Sequence, residues 1–377
     1  MSRNHLFLIF ILFNIYFQKK LYFLELPHEA TDDCKDKSFP PTEENVKFTG
    51  RIYQKDDVTW LVQSGSSIEF SITGSKIDVD LVGDDHVLSG PDSRPRFGIF
   101  VDDELFLDST MKDLDLNVEL YQAKDKEKAI KVKIMLFSEN GNGGIGIKSI
   151  NTYICSNQKA IEPTEKKKIN IEFLGDSITC AYGVEGKDQY ERFKTTTENA
   201  SKSYAYLASQ ILDADYSTVC YSGAGIVSGY SSGEKNSGNL FPPHYNEISR
   251  NSKYTGNFDF SKHKYDVIFI HLGTNDKNYV TANPDQRNDE FIQEYVDFLG
   301  TVREVNPDSY IICTIGNKEI YALIEQAIKL FGDSRVKSFL SPSQDINNDG
   351  VGSDWHPSAK THQKLSKLVA EKISEVL

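Results

Sequence analysis

The chain has 377 residues, 39% of them hydrophobic, and a formal net charge of −13. That length points to two domains with enough apolar content for real cores. The acidic balance argues against nucleic acid or an anionic membrane surface as partner and favours a neutral ligand.

Met1-Ser-Arg-Asn-His5 followed by the apolar run Leu6 to Phe17 reads as the charged and apolar regions of a secretory signal, assigned to residues 1–30. The run is too short to span a bilayer. No small-residue cleavage site follows Gln18-Lys19-Lys20, so retention as a signal anchor stays open. A secreted protein without stable membrane insertion is expected unless that segment is kept. Residues 31–45, polar and containing Pro40-Pro41, read as a linker.

From residue 46 to 158 the pattern is all strand. Ile68, Phe70 and Ile72 alternate with polar residues, Gly74-Ser75 turns the chain, and Ile77, Val79 and Leu81 alternate again; Phe97–Val101 and Ala129–Phe137 follow. Short strands between Gly and Asp turns predict a β-sandwich of jelly-roll type. Gly141 to Gly146 is Gly-rich but opens no helix, so it does not read as a phosphate loop. Of the five cysteines, Cys34 and Cys155 flank this domain and are the pair expected to form a disulfide. Cys180, Cys220 and Cys313 sit in or beside expected strands and are expected to stay reduced.

Glu162 to Lys168 is a charged linker, after which the period changes. The strand ending at Leu174 is followed by a helix over 203–212, strands over 217–221 and 266–271, a helix over 290–304, a strand over 310–315, a helix over 318–331 and a last helix from His362. On the helix after Arg287, Phe291, Ile292, Tyr295, Phe298, Leu299 and Val302 share one face. Strands alternating with helices over 167–377 predict a doubly wound parallel sheet, whose site lies beyond the carboxyl ends of the strands. Asn199-Ala-Ser201 is a glycosylation sequon.

The chemistry-bearing motifs follow those strands. Gly175-Asp-Ser177 ends the first, and Ser177 is the candidate nucleophile, with a following helix aiming unpaired N–H groups and its positive end at an oxyanion. Ser222-Gly-Ala-Gly225 ends the second, where a glycine N–H can approach an oxyanion closely. Leu272-Gly-Thr-Asn-Asp276 ends the third and offers the Asn275 amide as a further donor. Ser353-Asp-Trp-His-Pro-Ser358 precedes the last helix, with His356 as general base and Asp354 to orient it. No C-x-x-C or His-x-x-x-His spacing suggests zinc. Asp345 to Gly350 mimics the start of a calcium loop, but position twelve is His356 rather than Glu.

This order of Ser, Gly, Asn and Asp/His motifs resembles the SGNH (GDSL-type) hydrolases. With Phe48-Thr-Gly-Arg51, Ser64 to Phe70, Phe258-Asp-Phe-Ser261 and Asp354-Trp-His-Pro357, the chain from about residue 46 resembles carbohydrate esterase family two, which joins a jelly roll to an SGNH domain and removes acetyl groups from polysaccharides such as xylan and glucomannan. The resemblance implies Ser177 as nucleophile, His356 as base and Asp354 as its partner. It implies an oxyanion hole of Ser177, Asn275 and a glycine, Gly223 rather than Gly225. Some members lack the Asp and orient the His through a backbone carbonyl. The chain departs from the family pattern at Met135 to Asn140, where a Lys-Arg-Thr-Glu-like run is expected.

The expectation is therefore a secreted serine esterase that deacetylates carbohydrate through an acyl-enzyme, without metal or cofactor, with Trp355 and Tyr230 as sugar platforms. Two other readings remain: a carbohydrate-binding protein without catalysis, and a lipid or aryl esterase of the wider SGNH group, which needs a longer apolar groove.

Overall fold

The computed structural model describes residues 34–124, 126–155, 159–230 and 232–377. The expected signal segment lies outside the described residues. Among the described residues no helix is long and apolar enough to cross a membrane.

The N-terminal part is two antiparallel sheets. One has the order β3 (Ile52–Lys55), β4 (Val58–Leu61), β11 (Ile145–Ile154), β6 (Lys76–Gly83) and β9 (Asp115–Gln122), with β1 (Lys35–Phe39) on β11. The other has the order β12 (Ile161–Pro163), β5 (Ser67–Gly74), β10 (Lys128–Leu136), β7 (Arg96–Val101) and β8 (Glu104–Thr110), with β2 (Lys47–Thr49) on β5. The alternation sets the layers: Ile68, Phe70 and Ile72 of β5 and Ile77, Val79 and Leu81 of β6 bury into one core between the sheets. Both expected linkers hold strand. Residues 35–39 pair with β11 and residues 161–163 with β5, because each segment satisfies an otherwise open sheet edge.

The C-terminal part is a five-stranded parallel sheet in the order β14 (Ala214–Cys220), β13 (Ile169–Gly175), β15 (Val267–His271), β16 (Tyr310–Ile315), β17 (Val336–Leu340). The helices are α1 (Ser177–Cys180), α2 (Tyr204–Ile211), α3 (Lys277–Ala282), α4 (Pro284–Val305), α5 (Lys318–Phe331), α6 (Ile346–Asp349) and α7 (Ala359–Ser374). Phe291, Tyr295, Phe298, Leu299 and Val302 of α4 join Ile320 and Ile324 of α5 on one face of the sheet. Tyr204, Ala205 and Ala208 of α2 join Val369, Ala370 and Ile373 of α7 on the other. The sheet is thus wound on both sides. Its second, first and third strands are neighbours, so the chain reverses direction of winding between β13 and β15, and a crevice opens at their carboxyl ends.

The two parts share a core. Met135 and Phe137 pack in the cluster under α2 and α7. Arg51, fully buried, pairs with Glu172 at 3.0 Å, donates to the carbonyls of Tyr245 and Glu247, and lies against the rings of Phe258 and Phe260. A buried cation so partnered is costly to disturb, since removing a partner strands a charge.

The cysteine expectation is corrected in one respect. Cys34 and Cys155 are bonded, and Cys313 is free and buried, its thiol pushed up to about 12 by burial. Cys180 and Cys220 are also bonded, not reduced. The parallel register sets Cys220 beside Gly175, and the tight turn into α1 brings Cys180 back over that strand end, with Cα atoms 5.6 Å apart.

Candidate active site

Ser177 sits at the first position of α1, directly beyond β13. Gly175 is needed there for space: a Cβ would lie 1.9 Å from Thr179 Oγ1 and 3.1 Å from the His271 carbonyl. Asp176 caps the turn through the Ile178 N–H at 3.0 Å, and burial pushes its carboxyl up to about 7. The helix ends after four residues with Ala181 in the left-handed region. One turn has little macrodipole, so the expected helix-end field reduces to individual N–H groups. Among the described residues the Ser177 N–H has no acceptor.

His356 reaches across from the segment before α7. Its Nε2 lies 2.8 Å from Ser177 Oγ and its Nδ1 3.1 Å from the carbonyl oxygen of Asp354. A carbonyl only accepts, so Nδ1 carries the proton and a neutral His356 presents its Nε2 lone pair to the serine hydroxyl. Burial holds the imidazole pKa below its ordinary value.

The Asp354 carboxylate does not meet His356, which corrects its expected role. It accepts instead from the Phe193 N–H (2.9 Å), the Tyr182 hydroxyl (3.1 Å) and Arg192 (3.3 Å). The reason is backbone geometry. Asp354 has φ 48° and Trp355 φ 67°, which turns the Asp354 carbonyl toward the imidazole and its side chain toward residues 182–193.

Gly223 follows β14 with φ +75°, a conformation glycine adopts without penalty. Its N–H has no acceptor among the described residues, whereas the Gly225 N–H donates to the Asn239 carbonyl at 3.0 Å. Asn275, buried after β15, donates through Nδ2 to the Ala224 carbonyl at 2.8 Å and lies 3.4 Å from Asp176 Oδ2, a long contact that leaves its second hydrogen weakly held. Asp276 beside it accepts from the N–H groups of Ile226, Val227 and Ser228, pinning the loop after Gly223, and burial pushes its carboxyl up to about 6.

Both expected platforms are exposed: Trp355 by 57% and Tyr230 by 68%. The Tyr230 N–H donates to the Gly223 carbonyl, so that residue flanks the glycine loop. Sequence reasoning missed two aromatics. Tyr182 lies 4.2 Å, centroid to centroid, from the His356 ring and stacks at 4.1 Å on Phe193, making a shelf under the imidazole. Tyr190, 77% exposed, stands edge-on to Trp355 at 6.3 Å. Neither lies in a periodic pattern; their nearness to the serine motif was the only signal. The sequon is corrected too: Asn199 is buried and its amide donates to Glu185 at 3.1 Å, so it is not available for glycosylation in the folded chain. In the calcium-like loop the Asp349 carboxylate is bound by Lys364 at 2.6 and 2.7 Å.

The model of the GDSL-like Lipase/Acylhydrolase family matches residues 173–364. Cellulase/esterase CelE of Acetivibrio thermocellus is 33% identical over 229 residues, which are 58% of this chain and 26% of that protein. The chain thus spans about a quarter of that relative's length. An acetylxylan esterase / glucomannan deacetylase of Cellvibrio japonicus is 23% identical over 347 residues, 88% of this chain and 89% of that protein. Among solved structures, a family two carbohydrate esterase from Clostridium thermocellum in complex with cellohexaose superposes with a TM-score of 0.75 at 25% identity, covering 88% of this chain and 98% of that one.

Proposed function

Because the chain belongs to the GDSL-like lipase/acylhydrolase family, we propose that it is a secreted serine esterase that removes O-acetyl groups from carbohydrate. The observation that carries this is the 2.8 Å contact between His356 Nε2 and Ser177 Oγ beside two unclaimed N–H groups. Ser177 attacks the acetyl carbonyl as His356 takes its proton. The Ser177 and Gly223 N–H groups, with Asn275, receive the developing oxyanion. His356 then protonates the departing sugar oxygen, which leaves as a hydroxyl, and water, activated by the same imidazole, attacks the acyl-enzyme and releases acetate. The Nδ1 proton stays on the ring, donated to the Asp354 carbonyl, throughout.

The relatives named for acetylxylan and glucomannan support the carbohydrate substrate. So do Trp355, next to His356 in the chain, and Tyr190, edge-on to Trp355, both exposed as flat faces for pyranose rings. The β domain, read as a jelly roll, closes one side of the hydrolase core. Two disulfides fit an oxidising compartment. The C. thermocellum complex with cellohexaose favours one further reading, that this chain also binds a β-glucan chain.

The test is acetate release from acetylated xylan, glucomannan and oligosaccharides by the wild type and by Ser177→Ala. The wild type should release acetate, and the variant should lose on the order of 10⁴-fold or more in kcat. A folded Ser177→Ala variant with wild-type rate refutes the assignment.

A further inference from the structure

The β domain ends its strand β10 against the active site. Beyond Leu136, the Phe137 carbonyl accepts from the Ala200 N–H at 3.0 Å, and the Glu139 N–H donates to Glu198 Oε2 at 3.0 Å. These bonds to the hydrolase domain fix where the Glu139 side chain goes. It is buried, and its Oε2 accepts the Ser222 N–H at 2.9 Å. Ser222 is the residue before Gly223, so the peptide that carries the Gly223 N–H is the one that ends on the Ser222 carbonyl. That carbonyl is held in turn by the Asn239 amide at 3.1 Å. On the other side Cys220 is tied to Cys180 of the nucleophile turn.

We propose that Glu139 is a positioning residue of the esterase, supplied by the β domain, which holds the Ser222 N–H and so aims the Gly223 N–H at the oxyanion. The inference rests on the esterase reading above. Ser222 lends its N–H to Glu139 and is therefore not itself an oxyanion donor; Glu139 holds the peptide before Ser222, and Asn239 holds the Ser222 carbonyl in the peptide that carries the donor. A buried carboxylate close to a developing negative charge would oppose the reaction if fully ionised. Burial raises the Glu139 carboxyl above its usual range, while the Ser222 hydrogen bonds and the charge of Arg250 act the other way. The domain boundary thus runs through the site, and the β domain has a role in the chemistry besides packing.

The experiment compares Glu139→Ala, Glu139→Gln and Glu139→Asp with the wild type on 4-nitrophenyl acetate and on an acetylated glycan, each variant checked by circular dichroism. Removing the acceptor lets the Gly223 peptide drift, and a misplacement of that kind costs about 10- to 100-fold in kcat, with KM little changed. The Gln side chain keeps an oxygen of the same reach and should retain kcat within about threefold of wild type, since only the acceptor matters for the Ser222 bond. The Asp side chain keeps the charge but falls short, and it should resemble the Ala variant; this pair decides the matter if Glu139→Ala does not fold. Wild-type kcat in a folded Ala or Asp variant overturns the proposal, as does a Gln variant as impaired as Ala. Activity of the wild type on 4-nitrophenyl acetate but not on any acetylated glycan would instead overturn the substrate assignment, and the ratios among variants would still be read.

Discussion

Asp354→Asn separates a carboxylate-assisted histidine from the one described here. Where an aspartate carboxylate holds the base through its ring N–H, the Asn replacement costs about 10⁴ in kcat, because the imidazole is trapped in the wrong tautomer. In this chain the Nδ1 proton is held by the Asp354 main-chain carbonyl, which the substitution leaves in place. Asn also tolerates the left-handed conformation that φ 48° demands. What is lost is the negative charge, which acts on His356 only through space and behind burial and two backbone contacts in its effect on the imidazole. The expected loss is less than about tenfold, or under ~1.4 kcal/mol of transition-state stabilisation. Asp354→Ala should cost more, since it strands the Phe193 N–H and Tyr182 hydroxyl and places a Cβ at positive φ with no local compensation. Steady-state kinetics on 4-nitrophenyl acetate from pH 5 to 9, with unfolding followed by circular dichroism, measures both. A loss near 10⁴ for the folded Asn variant would show that the carboxylate swings onto His356 during turnover and would refute the backbone-carbonyl account.

Three further outcomes are expected. The base must be neutral to accept the serine proton, and burial lowers the His356 pKa, so the acid limb of kcat/KM should fall below the ordinary histidine value of 6.5; a midpoint above 7 contradicts it. Asn275→Ala should lower kcat by about 10²- to 10³-fold with KM little changed, and an unchanged kcat would assign the amide to its Ala224 contact alone. Replacing Cys180 and Cys220 together by Ala opens a loop of separation 40, worth about 4 kcal/mol of stability by chain entropy, readable as a lower urea midpoint. Alkylation of Cys180 in the unreduced, denatured protein would show that the bond does not form.

Much of this site was legible because parallel sheets expose their strand ends in sequence. Ser177, Gly223 and Asn275 each stand just past a run of buried β residues, and the topology brings such ends together without long-range information. The features that were not legible depend on pairing or on single torsions. The Cys180–Cys220 bond follows from the register Gly175↔Cys220, and that register exists only once β14 is known to lie beside β13. Strand β17 was missed because Val336–Leu340 is short and mostly half-buried, with no clear alternation. Glu139 was seen only as a departure from the expected run at Met135 to Asn140; its meaning lies in Ser222, 83 positions away. Which group of Asp354 faces the histidine is set by two backbone angles that composition does not report.

Those two angles also bear on what the Asp354 side chain does. For an imidazole Nδ1 to bond a carbonyl two residues back, the chain must double over itself between them, and Asp354 and Trp355 do so in the left-handed region. Such residues cost of order 1–3 kcal/mol each and persist where surrounding bonds over-determine them. Here the Asp354 N–H donates to the Glu191 carbonyl, the Ser353 N–H to the Gly183 carbonyl and the Gly352 N–H to the His356 carbonyl, while the Asp354 carboxylate ties the turn to Phe193 and Tyr182. The carboxylate therefore stabilises a strained backbone, at one remove from the imidazole. The same doubling leaves Trp355 exposed on the rim, edge-on to Tyr190. Orientation of His356 and exposure of Trp355 are thus two consequences of one turn, and on the proposed function a substitution that relaxes it should disturb both kcat and glycan KM.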